Sequence, residues 1–182
     1  MSEIVVQKFG GTSVGTVDRI DSVAEIIKNA SKSNKIVVVV SAMGGETNRL
    51  VDLAKAFGDD PDKREFDALV STGETVSSAL LTMALHSKGV KAKSFSASQI
   101  SMRTTSSYSK AKILDVDAKK ILDVVENDTI PIITGFQGVT EGGDVTTLGR
   151  GGSDTTAVAI AAQISAIRCD IYTDVDGIFT TD

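Results

Sequence analysis

Lys8-Phe9-Gly10-Gly11-Thr12-Ser13 places a cation at the end of an apolar run and follows it with two glycines and two hydroxyls. Each residue type has a use beside a phosphate. Glycines let backbone N–H groups approach an anion, a helix opening beyond them adds the positive end of its dipole, and a lysine can follow negative charge as it moves between oxygens. The order differs from two common nucleotide motifs. In a P-loop the lysine follows the glycines, and the Rossmann fingerprint has no such lysine. A glycine turn beside a solvated lysine is the plain alternative.

Gly149-Arg150-Gly151-Gly152-Ser153-Asp154 is a second glycine run ahead of a helical segment, with opposite charges inside it. Arg150 can hold a carboxylate in bidentate geometry, and Asp154 can orient a lysine, stay near a metal or simply cap the helix. Ser41, at the end of an aliphatic run, and Thr47, just past Gly44-Gly45, could orient a small polar acceptor; capping of the next helix by Thr47 is the alternative. On a helical wheel Glu74 falls at the margin of an apolar stripe, beside Val70 and Leu81. A carboxylate there needs a partner, such as a substrate ammonium or a lysine, unless it is an ordinary flank residue. Tyr172-Thr173-Asp174-Val175-Asp176-Gly177 ends a strand in two acids and a glycine, suiting a ribose, an adenine edge or a tight Asx turn. His86, the only histidine, has no acid or nucleophile in view and reads as a surface residue. No zinc or triad arrangement is present.

The elements that must position these residues alternate. Strands are expected at Ile4 to Phe9, Ile36 to Val40, Ala92 to Phe95, Ile113 to Val116, Ile130 to Thr134 and Arg168 to Thr173. Helices are expected at Val17 to Ala30, Leu50 to Phe57, Ala118 to Glu126 and Asp154 to Ser165. A single long helical stripe runs from Phe66 to Ala84. Gly135 to Thr147 reads as a hairpin around Glu141-Gly142-Gly143-Asp144. Strand-helix alternation predicts an α/β fold, a three-layer αβα sandwich with a mainly parallel central sheet, and both glycine loops then adjoin the carboxyl ends of strands.

At 182 residues, 41% of them hydrophobic and 24% charged, the chain is expected to form one domain with a proper core. A formal charge of −5 disfavours a nucleic-acid partner, so bound phosphate must be held locally. The lone Cys169 and the absence of a basic-apolar leader fit a cytoplasmic setting. The longest aliphatic run, Ile36 to Val40, is far short of the roughly 20 residues that cross a bilayer, so no membrane association is expected.

Six ordered segments together resemble the aspartate kinases of the amino acid kinase family. They are Lys8 to Val14, Val39 to Met43, Ser71 to Glu74, Gly135 to Val139, Thr146 to Thr156 and Tyr172 to Gly177. The resemblance implies the carbamate kinase-like fold and transfer of the γ-phosphoryl group of MgATP to the side-chain carboxylate of L-aspartate, the first step towards lysine, threonine and methionine. It implies that Lys8 neutralises the phosphoryl group in flight and that Asp154 orients Lys8, with Gly10, Gly11 and Ser13 along the phosphate path. Arg150 would grip the aspartate α-carboxylate and Glu74 its ammonium. Ser41, Thr47, Phe136, Gly151 and Ser153 would complete the acceptor pocket, and Thr173, Asp174 and Phe179 would face the nucleoside. Magnesium comes with the nucleotide, and the full-length protein is expected to be a homo-oligomer.

Phe179 stands where that family usually has tyrosine. Family members also continue past Asp182 with a Pro-Arg pair, further nucleotide-pocket residues and paired ACT domains. Residues 1–182 are therefore expected to be a catalytic domain cut short at its C-terminal end, lacking the regulatory domains, and able to bind substrate without full activity. The alternatives are an amino acid kinase with another acceptor, such as glutamate or an N-acylated amino acid, and a non-catalytic ligand-binding fragment. An acylated nitrogen needs no acid, so Glu74 with Arg150 favours a free amino acid.

Overall fold

The computed structural model describes residues 3–173; the expectations at Asp174 and Phe179 lie outside the described residues. The first strand, β1 (Ile4–Phe9), leads through the glycine loop into α1 (Val17–Ala30), and β2 (Lys35–Val40) follows. Next come α2 (Glu46–Lys55), α3 (Lys63–Val70), α4 (Thr72–Ser87) and β3 (Ala92–Phe95). Two short strands, β4 (Arg103–Thr104) and β5 (Ile113–Asp115), precede α5 (Ala118–Glu126) and β6 (Ile130–Thr134). A hairpin of β7 (Gln137–Val139) and β8 (Val145–Thr147), then α6 (Gly152–Gln163) and β9 (Arg168–Tyr172), complete the described chain.

Five strands form a parallel sheet in the order β3-β6-β2-β1-β9. Its two faces are set by the period of two along each strand. Val38 and Val40 of β2, with Val5 and Phe9 of β1, pack on Ile20, Val23 and Ile27 of α1 and Leu81 and Leu85 of α4. Val37 and Val39, with Val6, face the other way onto Ile121 and Val125 of α5 and Ala157 and Ile160 of α6. An aliphatic run without alternation is what a strand covered on both sides requires. Each of these buried Val, Ile, Leu and Phe side chains contributes roughly 1.5–3 kcal/mol relative to exposure. The three-layer αβα sandwich follows directly.

Several expectations are corrected. The stripe from Phe66 to Ala84 is two helices, broken at Ser71. The Ser71 and Thr72 hydroxyls donate to the carbonyls of Ala68 and Leu69, 3.0 and 2.7 Å away, competing with the backbone ladder where Ser-Thr-Gly already favours a helix end. By length and composition 63–87 could cross a membrane, yet it is broken at this joint and its second helix packs on the sheet. The strand at Ile113 belongs to a separate four-stranded sheet, β5-β4-β7-β8, which also contains the expected hairpin. Helix α2 starts at Glu46, not Leu50, with Gly45 (φ 83°) as its cap, so Thr47 is not the capping residue. Likewise α6 starts at Gly152 behind Gly151 (φ 73°), which puts Asp154 inside the first turn instead of at the cap.

Candidate active site

A cavity of about 590 Å³ opens at the carboxyl ends of β1 and β2. Its wall contains Lys8 and Gly11 from the first glycine loop, Ser41 after β2, Thr47 in α2, and Glu74 in the first turn of α4. Phe136 and the whole of Arg150 to Asp154 close the other side. Ten of the residues singled out in the sequence therefore share one space. Gly10, Ser13 and Thr173 are not in its wall. The Gly10 N–H donates to the Tyr172 carbonyl at 3.1 Å, and Phe9 stacks on Tyr172 with ring centroids 4.5 Å apart. That fastens the glycine turn to the end of β9 and places Thr173 next to it.

The turn itself is closely packed. A Cβ on Gly11 would come to 3.0 Å from the Ala42 carbonyl, so glycine lets this loop lie close against the segment that follows β2. Arg19 of α1 donates to the Thr12 carbonyl at 2.7 Å and holds the outer arc.

Lys8 reaches Asp154 with Nζ 2.6 Å from Oδ1. Its side chain is only 9% exposed, whereas that of Asp154 is 48% exposed. The contact is an ion pair across the sheet edge, and Asp154 also borders an adjoining cavity of about 680 Å³ between α6 and Ala111 to Ile113.

Glu74 is 2% exposed. Its Oε1 accepts from the Ala42 N–H at 3.1 Å, and among the described residues its Oε2 is buried without a partner. Burial pushes this carboxyl up to about 7, against the pull of the backbone N–H groups of Glu74 and Ala42. A buried, half-satisfied acid facing a cavity is arranged to receive a cation.

Phe136 has a left-handed backbone (φ 68°), and its N–H donates to Thr156 Oγ1 at 3.1 Å. A Cβ on Gly152 would stand 2.8 Å from the Phe136 ring, and one on Gly135 would stand 2.8 Å from Ser153. The two glycines let the start of α6 nest against the β6–β7 turn, which is how Ser153 and Arg150 come to the cavity.

Sequence reasoning missed four polar residues here. Asn48, Ser109 and Thr147 line the cavity, and Asp67 fixes two of them. Gln137, inside one of the six resembling segments, was given no role there; its amide donates to the Ser71 carbonyl and accepts from the Thr134 hydroxyl, tying the α3–α4 joint to β6. No local spacing marked Asp67, because its partners lie 42 and 80 residues away along the chain.

The amino acid kinase family model matches residues 3–182. The chain belongs to the amino acid kinase family. It is 56% identical to an aspartate kinase (Ask_LysC) of Stutzerimonas stutzeri over 180 residues, covering 98% of this chain and 44% of that one. An aspartokinase of Geobacillus stearothermophilus gives the same identity and coverage. The chain thus spans less than half the length of these relatives. Among solved structures, E. coli aspartokinase III in complex with aspartate and ADP superposes with a TM-score of 0.89 at 31% identity, covering 99% of this chain and 51% of that one. An isopentenyl phosphate kinase at 16% identity and a TM-score of 0.73 shares the fold.

Proposed function

We propose that this chain carries the acceptor site and phosphoryl-transfer residues of an aspartate kinase, with residues 1–182 belonging to its catalytic domain. One observation carries the reading above others: Glu74, buried with an oxygen that has no partner among the described residues, shares a single cavity with Arg150 and the Lys8–Asp154 pair. A free amino acid offers the matching groups. Its α-carboxylate pairs with Arg150, its ammonium with Glu74, and its side-chain carboxylate is left to turn towards Lys8. Ser41, Thr47, Phe136, Gly151 and Ser153 bound the remaining space.

In the transfer step one oxygen of that carboxylate attacks the γ-phosphorus. A P–O bond forms, the bond to the β–γ bridging oxygen breaks, and ADP leaves with the electron pair. No proton moves, so no general base is needed, and the protein's work is positioning and charge neutralisation. Lys8, held by Asp154, accompanies the charge as it shifts to the leaving oxygen. Gly10, Gly11 and Ser13 line the phosphate path, and Thr173, Asp174 and Phe179 meet the nucleoside. Magnesium enters with ATP as part of the substrate. A cytoplasmic homo-oligomer completes the reading.

The test is trapping of the acyl phosphate by hydroxylamine in the full-length protein, with L-aspartate, L-glutamate and N-acetyl-L-glutamate as acceptors. Hydroxamate formed with aspartate and ATP alone is the expected result. Product from the N-acylated acceptor, or none from aspartate, overturns the assignment.

A further inference from the structure

Asp67 is the most completely buried acid described, at 0% exposure, and it lies outside the cavity. Its carboxyl group gathers four donors from two distant segments. Oδ2 accepts from the N–H groups of Ser109 and Thr147, each at 2.8 Å, and Oδ1 accepts from the Ser109 and Thr147 hydroxyls at 3.0 and 2.9 Å. Both of those residues line the cavity.

Ser109 has φ 63°, a left-handed backbone that a residue with a side chain holds only when its surroundings insist. Three of the contacts to Asp67 come from Ser109 itself. Beyond it, the carbonyl of Ser109 lies where a Cβ on Gly149 would come to 3.2 Å, so the Ser109 turn and the Gly149 turn are in van der Waals register. Arg150 is the next residue. The Ala111 N–H also donates to the Thr147 carbonyl at 2.9 Å, which closes the strap against β8.

We propose that Asp67 is a positioning residue for the acceptor site: by holding Ser109 in its left-handed turn against β8, it sets the wall on which Gly149 and Arg150 rest. The inference rests on the reading of this cavity as the acceptor site. It concerns geometry, so an amide at position 67 is able to substitute. Its oxygen accepts from the two backbone N–H groups, and its NH₂ donates to the two hydroxyls, which accept as readily as they donate.

Steady-state kinetics of the full-length protein separate the possibilities, with the wild type measured first. Asp67→Ala raises the aspartate KM by about 10-fold or more, while kcat and the ATP KM stay within about threefold. Asp67→Asn stays within about threefold of wild type in all three, and Asp67→Ser, whose single oxygen stops one bond short of either carboxylate oxygen, raises the aspartate KM nearly as far as Asp67→Ala. Adding Ser109→Gly to Asp67→Ala recovers part of the aspartate KM, because glycine adopts the left-handed turn unaided. If Asp67→Ala yields no folded protein, the ranking of Asp67→Ser against Asp67→Asn decides the matter. An unchanged aspartate KM, or aspartate and ATP KM values that rise together with lost thermal stability, overturns the positioning role. A wild-type protein that transfers nothing to aspartate overturns the acceptor reading, and this proposal with it.

Discussion

Lys8 Nζ stands 2.6 Å from Asp154 Oδ1, joining the end of β1 to the first turn of α6 across the carboxyl edge of the parallel sheet. Half of the pair is open to solvent, so its value for stability is small. Its value lies in orientation, since a nearly buried lysine with one fixed partner keeps its remaining donors aimed into the cavity.

Lys8→Ala in the full-length protein is expected to lower kcat by at least about 100-fold with the aspartate KM nearly unchanged, because the charge matters most in the transition state. Asp154→Asn keeps the shape and loses the ion pair, and a fall in kcat of about 10-fold is expected. Both are read from initial rates at saturating ATP. An unchanged kcat in Lys8→Ala contradicts the role given to that residue.

Glu74 makes the protein's stability depend on pH. Its carboxyl, raised in the fold to about 7 from an ordinary 4.5, holds a proton in the native state that the unfolded chain gives up. The stability linked to that proton is present in full below about pH 4.5 and is lost as pH rises through about 7. Glu74→Gln removes this slope, so between pH 5 and 8 its urea midpoint changes less than that of wild type, and at pH 8 the unliganded variant gains up to about 3 kcal/mol. If the cavity takes aspartate as proposed, its binding is expected to show the opposite trend in the wild type. The ionised form is the one that pairs with an ammonium, so affinity rises from pH 6 to 8, and Glu74→Gln binds aspartate weakly at every pH. A variant with wild-type aspartate affinity at pH 8 defeats this account.

Most of the scaffold was legible because it is written in local pattern. Ile4 to Phe9, Val17 to Ala30, Ala118 to Glu126 and Ile130 to Thr134 are apolar runs or stripes with clear ends, and the structure keeps those bounds. The two glycine loops were legible for the same reason. Two-residue β4 is too short to carry a period, and β5 gave no sign that it had left the main sheet. The joint at Ser71 was hidden by a stripe that continues through it, although Ser71-Thr72-Gly73 are poor helix formers in a row. Asp67 was invisible for a different reason. Its partners lie 42 and 80 residues away, and only the closed fold brings them together.

Gly135 tests the nesting of α6 on the β6–β7 turn. A Cβ there would meet Ser153 at 2.8 Å and the Val40 carbonyl at 2.9 Å, and the latter is backbone that cannot swing away. Gly135→Ala is expected to cost about 1–3 kcal/mol in chemical denaturation. It should also raise the aspartate KM, because Ser153 is displaced from the cavity. Gly143→Ala is the control for the second effect: its positive φ of 89° carries backbone strain, but nothing lies within 4 Å of the added carbon and the site is distant along the hairpin. Equal effects on aspartate KM in the two variants would contradict the nesting argument.

Gln137 ties down the helix joint that leads into Glu74. Its side chain is buried, donating to the Ser71 carbonyl and accepting from the Thr134 hydroxyl at 2.8 Å, and Glu74 follows Ser71 by three residues. Gln137→Leu keeps the volume but removes both bonds, leaving the Thr134 hydroxyl buried without its acceptor, which costs about 1–3 kcal/mol. Without that anchor the first turn of α4 is free to shift, and Glu74 shifts with it. The aspartate KM is therefore expected to rise several-fold more than the ATP KM, on the order of 5-fold against less than 2-fold. Thr134→Val removes the hydroxyl and keeps the Ser71 anchor, so it should lower stability with little change in either KM. A Gln137→Leu protein that loses stability but keeps its aspartate KM would show the amide to be core packing with no bearing on the site.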